Sequence, residues 1–263
     1  MKKRQWFGLL LAILVSAPAM AQSAFDGTWK FNLTDAQFPK KPDVFLLKDG
    51  KYQCTTCVPP IDVNADGTDQ PVKGHPYYDS VAIKVVDDRT IEETDKKGGK
   101  TVGTSKTVVA PDGKTQTFEF SDSSNTSGDP VTGKGSSTRV AQGPAGSHAV
   151  SGSWVTAKMD TLSDNALLVT FKVEGDSLSM TSPTGQSYVA KLDGTDAPYK
   201  GDPGISSVAV KKMGKNSIEE TDKRDGKAIT VTRMTVGTDG KTITAKVEDK
   251  LHGTSSQFTA TKQ

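Results

Sequence analysis

Long apolar runs are absent from this sequence beyond its first residues. After Val15 no stretch approaches the roughly 20 residues that a membrane-crossing helix needs, so no integral membrane segment is expected. Cysteine is scarce, with Cys54 and Cys57 alone, which excludes a disulfide-rich scaffold and falls short of a zinc site unless histidines join. Aromatic residues make up 6% of the chain and no basic cluster interleaves with them, so nucleic-acid binding is not expected. No amphipathic helical pattern of ten residues or more is visible. There is no Gly-x-Ser-x-Gly elbow, no ordered Ser/His/Asp set, no P-loop and no dinucleotide fingerprint. The reading is therefore non-enzymatic, with no cofactor.

What is present begins with Lys2, Lys3 and Arg4, the apolar run Trp6 to Val15, and Ala19-Met20-Ala21. A basic head, a short apolar centre and a small-x-small site make a signal peptide over residues 1–21, so the protein is expected in the periplasm or secreted. Removing those three cations turns the formal charge from +2 to −1. Thr, Ser, Gly, Asp and Lys are abundant and apolar content is 34%, a profile that favours thin β-sheets with polar outer faces.

The chain is also internally duplicated. Ile91-Glu92-Glu93-Thr94-Asp95-Lys96 returns as Ile218-Glu219-Glu220-Thr221-Asp222-Lys223, displaced by 127 positions. With that displacement residues 66–117 lie over 193–244 without gaps, and 26 of the 52 positions are identical. Each copy opens on a Gly-x-Trp strand, at Gly27-Thr28-Trp29 and Gly152-Ser153-Trp154. Alternating runs such as Val81, Ile83, Val85 follow, separated by turn pairs such as Asp49-Gly50 and Asp225-Gly226. The expected architecture is all-β: two tandem antiparallel up-and-down β-barrels, each of roughly eight strands. The first repeat covers 22–142, a linker 143–150, and the second repeat 151–263. One larger sheet merging both copies is the competing arrangement. Closed barrels are preferred because closure leaves no open sheet edge.

A Gly-x-Trp strand opening an up-and-down meander resembles the lipocalin-like (calycin) superfamily. The whole mature chain is also similar to duplicated bacterial exported proteins of unknown function. The superfamily resemblance implies that Trp29 and Trp154 plug the barrel bases and that a basic residue on the last strand packs over each Trp. Arg139 is the matching position in the first copy. In the second, Ala260 falls there and Lys262 lies two residues on. The resemblance further implies a small apolar ligand in the barrel.

Four features could carry chemistry. Cys54-Thr55-Thr56-Cys57 has redox spacing, but Val58-Pro59-Pro60 does not let a helix start there to lower a thiol pKa. A structural disulfide is expected, with redox or metal-dependent use of the pair as the alternative. Asp62, Asn64 and Asp66 before Gly67 match the opening of a calcium loop, although Lys73 stands where its bidentate Glu belongs; an ordinary turn is the competing reading. The acids of the repeated hexapeptide are expected to pair across strands with Lys84 and Lys106 and, in the second copy, Lys211 and Arg233. A paired-carboxylate site would require a neighbouring His or Tyr, which the second copy is expected to lack.

His75-Pro76-Tyr77-Tyr78 becomes Asp202-Pro203-Gly204-Ile205 in the second copy. With Tyr52, these aromatics are the candidate ligand-binding residues: Tyr52, His75, Tyr77 and Tyr78. The sequence thus predicts an exported barrel protein binding a small apolar or amphipathic molecule, or an envelope component, mainly through its first repeat. A structural or interaction protein with side-chain-filled barrels is the alternative.

Overall fold

The computed structural model describes residues 23–263; the expected signal peptide lies outside the described residues. In chain order the first ten strands are β1 (Gly27–Gln37), β2 (Asp43–Lys48), β3 (Lys51–Cys54), β4 (Ile61–Asn64), β5 (Gln70–Pro71), β6 (Ser80–Asp87), β7 (Thr90–Lys97), β8 (Lys100–Val109), β9 (Thr115–Asp122) and β10 (Val131–Gln142). After β11 (Gly152–Leu162) comes one helical turn, α1 (Asp164–Leu167). The chain then continues with β12 (Leu168–Glu174), β13 (Ser177–Thr181), β14 (Ser187–Lys191), β15 (Asp193–Pro198), β16 (Ser207–Lys212), β17 (Ser217–Arg224), β18 (Lys227–Val236), β19 (Thr242–Asp249) and β20 (Thr254–Lys262). No helix among the described residues is long and apolar enough to cross a membrane.

The strands form two antiparallel sheets of ten, each curled into a nearly closed barrel. Ten strands rather than eight arise because short pieces at β4 and β5, and at β14 and β15, bring each sheet's two ends together. Single bridges, Asp66 to Lys84 and Ser187 to Lys200, reinforce the closure. Hairpins turn where Asp precedes Gly: Asp49 and Gly50 have φ of 52° and 75°, and Asp225 and Gly226 have 51° and 76°. A two-residue turn of this hand needs left-handed backbone at both positions, which Asp tolerates and Gly adopts freely.

The sheets do not follow the repeats. Barrel one contains β2 to β10 together with β11, the opening strand of the second repeat; barrel two contains β12 to β20 together with β1. The boundaries 22–142 and 151–263 delimit the duplication, while each barrel takes its Gly-x-Trp strand from the other repeat. Chain length supplies the reason. Only residues 143–151 separate β10 from β11, so the two pair as a hairpin, with Arg139 opposite Trp154 and Gln142 opposite Gly152. Consecutive antiparallel strands on a short connection pair with one another, and β11 therefore fills the slot left vacant by β1. β1 in turn pairs with β12 and β20.

The linker is anchored rather than free: His148 N–H donates to Leu47 O at 2.9 Å, its Nε2 lies 2.6 Å from Asp87 O, and Val150 is buried.

Trp29 and Trp154 are wholly buried, and each indole N–H donates to a carbonyl four residues earlier, on Phe25 (2.8 Å) and Val150 (2.9 Å). The basic residues sit over them in crossed fashion. Arg139 of repeat one lies 4.0 Å from the Trp154 ring of repeat two, and Lys262 lies 5.2 Å from the Trp29 ring. Arg139 also donates to the carbonyls of Gly113, Ala149 and Ser151, tying down the barrel base. Lys262, not Ala260, is thus the second cover.

Candidate functional site

Side chains alternate along β7 and β17, so the repeated hexapeptide presents two faces. On the outer face Glu92 lies 3.6 Å from Lys84 and 4.0 Å from Lys106, and Glu219 accepts from Arg233 at 2.8 Å. That part of the expected charge ladder is present. The inner face differs. Glu93 and Asp95 stand opposite Ile83 and Val81, and Glu220 and Asp222 opposite Val210 and Val208, all in the barrel interiors. None of these four acids pairs with a basic group among the described residues.

Burial pushes Glu93 up to about 8, helped by the neighbouring Asp95 charge and a hydrogen bond between the two carboxyls. Asp95 is pushed up to about 6 by burial and by Asp122. In barrel two, burial raises Glu220, and burial together with Glu220 and Asp202 pushes Asp222 up to about 8. The physical cause is the same throughout: a carboxylate removed from water without a counter-ion favours its neutral form. Asp95 Oδ1 and Asp222 Oδ1 are buried with no hydrogen-bond partner.

The second copy does hold tyrosine beside its acids, contrary to the sequence expectation. The Tyr188 hydroxyl donates to Glu220 Oε2, and the Tyr199 ring lies 5.8 Å from that of Tyr188. These tyrosines stand at different positions from those of copy one; Tyr199 aligns with Val72, which is why the alignment conceals them.

The predicted ligand residues separate. Tyr52 is buried in the core of barrel one, stacked on Phe45 at 6.2 Å, with burial and then the Glu93 charge holding its hydroxyl well above the ordinary range. His75 and Tyr78 stack at 4.6 Å, and His75 Nε2 is buried without a partner. Burial lowers the His75 pKa and raises that of Tyr78, the latter with help from Asp95 and Glu93. Tyr77 points elsewhere, donating to Asp202 Oδ1 of the second repeat at 2.9 Å. A Cβ at Gly204, the residue aligned with Tyr77, would lie 2.2 Å from the Tyr77 hydroxyl. Equivalent positions of the two repeats therefore touch, as they do in a two-fold interface between copies of one fold.

Cys54 and Cys57 form a disulfide with Cα atoms 5.5 Å apart, and Cys54 is buried in the core of barrel one. The calcium-loop candidate Asp62, Asn64 and Asp66 lies on a strand and the turn after it. Asp62 and Asn64 are exposed on β4, Asp62 is held by Gln53 at 2.9 Å, and Asp66 accepts from the N–H and hydroxyl of Thr68. Strand geometry spreads the Asp62 and Asn64 oxygens along an outer face, and no group of three His, Cys, Asp or Glu side chains that could hold a metal gathers among the described residues.

Between the barrels lies a cleft of about 420 Å³. Barrel two contributes the apolar and aromatic Phe31, Leu168, Val169, Met180 and Tyr199 together with the polar Ser182, Thr184 and Gln186. The barrel-one side supplies Tyr77, Asp122, Ser124, Asn125 and Val131, and Asp202 completes the polar rim. Asp122 and Val131 lie on the interior side of barrel one, so the two mouths face one another. A broader depression of about 630 Å³ lies on the outer wall over β7–β10. Its charges satisfy one another, Lys134 with Glu119 at 2.8 Å and Glu92 with Lys106.

Comparison with known protein families finds no family that matches this chain, and no characterised protein matches it significantly. Sequence reasoning missed the cleft residues of the second repeat. Residues 125–130, an insertion relative to the second copy, were the available signal. Asn125 lines the cleft, and Thr126 approaches Gly185 so closely that a Cβ there would lie 2.3 Å from its hydroxyl.

Proposed function

We propose that this chain is an exported, non-enzymatic binding protein, periplasmic or secreted, that takes a small amphipathic molecule in the cleft between its two barrels. The observation that carries this reading is the cleft itself, about 420 Å³, where Phe31, Leu168, Val169 and Met180 stand beside an equally large polar set that includes Asp122, Asn125, Gln186 and Asp202. Ligand sites commonly begin near 300 Å³, and the mixed lining suits a molecule with both an apolar and a polar part. The lipocalin-like resemblance supports it, because a barrel plugged by Trp and a cation at its base has its open end free for a ligand. Both repeats build the cleft, so the ligand is shared between them rather than held mainly by the first.

The test is binding of the neutral fluorophore Nile red to the full chain and to Ala166→Trp, which places an indole in the cleft. Blue-shifted emission in the parent protein, lost in the variant while its circular dichroism is unchanged, is the expected result. No emission change in the parent, or equal binding by both, would overturn the cleft in favour of barrels filled by their own side chains.

A further inference from the structure

The polar lining of the cleft carries charge of one sign. Asp122 and Asp202 line it, and no lysine, arginine or histidine does. A carboxylate- or phosphate-bearing ligand would meet two acids there and no cation to pair with. The two acids belong to different barrels, Asp122 at the end of β9 and Asp202 between β15 and β16.

Hydrogen bonds within the lining leave particular atoms spare. Asp202 Oδ1 accepts from the Tyr77 hydroxyl at 2.9 Å and from Gly204 N–H at 2.7 Å, while its Oδ2 has no partner among the described residues. Asp122 is likewise engaged through Oδ1 alone, by Ser124 N–H at 2.7 Å. Gln186 accepts through Oε1 from Ser182 and Thr184, and its Nε2 donates to no described residue. The cleft therefore offers two charged acceptors and one amide donor, set among the rings of Phe31, Tyr77 and Tyr199.

That combination narrows the ligand. A single ammonium head uses only acceptors and leaves the Gln186 amide unmatched. A hydroxyl both donates and accepts, and a sugar ring carries several around its edge. The C–H faces of the ring pack against aromatic side chains, and bonds from hydroxyl to carboxylate are charge-assisted. We infer that the cleft binds an uncharged glycoside. Its sugar hydroxyls donate to Asp122 Oδ2 and Asp202 Oδ2 and accept from Gln186 Nε2, while its apolar part lies against Val169 and Met180. The inference rests on the cleft being a ligand site.

Calorimetric titration of the full chain with n-hexyl β-D-glucoside, n-hexanol, n-hexylammonium and n-hexanoate, each below its micelle concentration, separates the two ideas. The glucoside should bind at least about tenfold more tightly than hexanol, the scale of one hydrogen bond to a charged group. Hexanoate should bind more weakly than hexanol. Gln186→Glu keeps the acceptor that Ser182 and Thr184 use but exchanges the spare donor for an acceptor. Asp202→Asn keeps Oδ1 for Tyr77 and Gly204 and removes the spare charged acceptor. Each should weaken glucoside binding about tenfold, with hexanol binding and circular dichroism unchanged. Glucoside no tighter than hexanol, hexylammonium or hexanoate as tight as the glucoside, or a preference that survives either substitution overturns the sugar site and leaves the cleft standing. Binding of none of the four overturns both.

Discussion

The two barrels share a plan and differ in how firmly it is secured. At the base of barrel one, Arg139 lies 4.0 Å from Trp154 and donates to three backbone carbonyls. At the base of barrel two, Lys262 lies 5.2 Å from Trp29 and no such backbone bond is recorded for its ammonium among the described residues. Inside, the order of security reverses. In barrel two Tyr188 donates to Glu220, whereas in barrel one the group beside Glu93 is another carboxyl, that of Asp95. Barrel one is thus tied at its base and by a disulfide at Cys54–Cys57, and barrel two is tied around its acids. A duplicated fold can keep the same apolar frame and place its polar contacts differently in each copy, because each contact contributes little beside the shared core.

The largest effect should come from the exchanged strands. Trp29→Ala removes a fully buried indole from barrel two, and Trp154→Ala does the same in barrel one, each costing about 3–5 kcal/mol. Hydrogen exchange should show the loss crossing the repeat boundary. Trp29→Ala should deprotect β12–β20, and Trp154→Ala β2–β10. Loss confined to the repeat that carries the substitution would mean that the strands are not exchanged.

Next in size is the contrast between the two base cations. Arg139→Ala removes a stacked guanidinium and leaves three carbonyls to find other donors, so chemical denaturation should show a loss of about 2–4 kcal/mol. Lys262→Ala should cost under about 1 kcal/mol, the scale of an exposed cation–π contact. Equal losses would show that the closer packing at Arg139 contributes nothing.

A third contrast concerns pH. Glu93 and Asp222 are pushed up to about 8 in the folded protein, while in an unfolded chain carboxyls titrate near about 4. The folded state therefore holds protons that the unfolded chain has released. The stability they confer is complete below about pH 4 and is lost as pH rises toward about 8. Thermal melts should show Tm falling over that range. Glu93→Gln with Asp222→Asn should flatten the slope and raise Tm at pH 8 relative to the parent protein. A slope unchanged in the double variant would place the titrating groups elsewhere.

Much of the frame was legible in the residues. Asp-Gly pairs marked turns because few residues accept left-handed backbone, and Val81 and Ile83 marked the inner face of a strand because side chains alternate, although Val85 at its far end is exposed. Arg139 was identifiable as the cover of a tryptophan. Which tryptophan it covers was not, since spacing within a repeat says nothing about exchange between repeats. Tyr188 and Tyr199 were missed because copy one supplies its tyrosines from other positions. The split within Ile91 to Lys96, outer acids paired and inner acids alone, needed the knowledge of which face turns inward.

By itself the sequence determined that the described chain is a duplicated, all-β meander whose repeated hexapeptide lies on a strand with basic neighbours. Those are local matters, decided by backbone geometry, side-chain alternation and turn chemistry. The tertiary structure alone decided that β1 and β11 change places, that Tyr77 meets Asp202, and that two mouths close on one cleft. Each depends on groups more than a hundred residues apart, brought together because a nine-residue connection holds β11 beside β10 and so places it between β10 and β2.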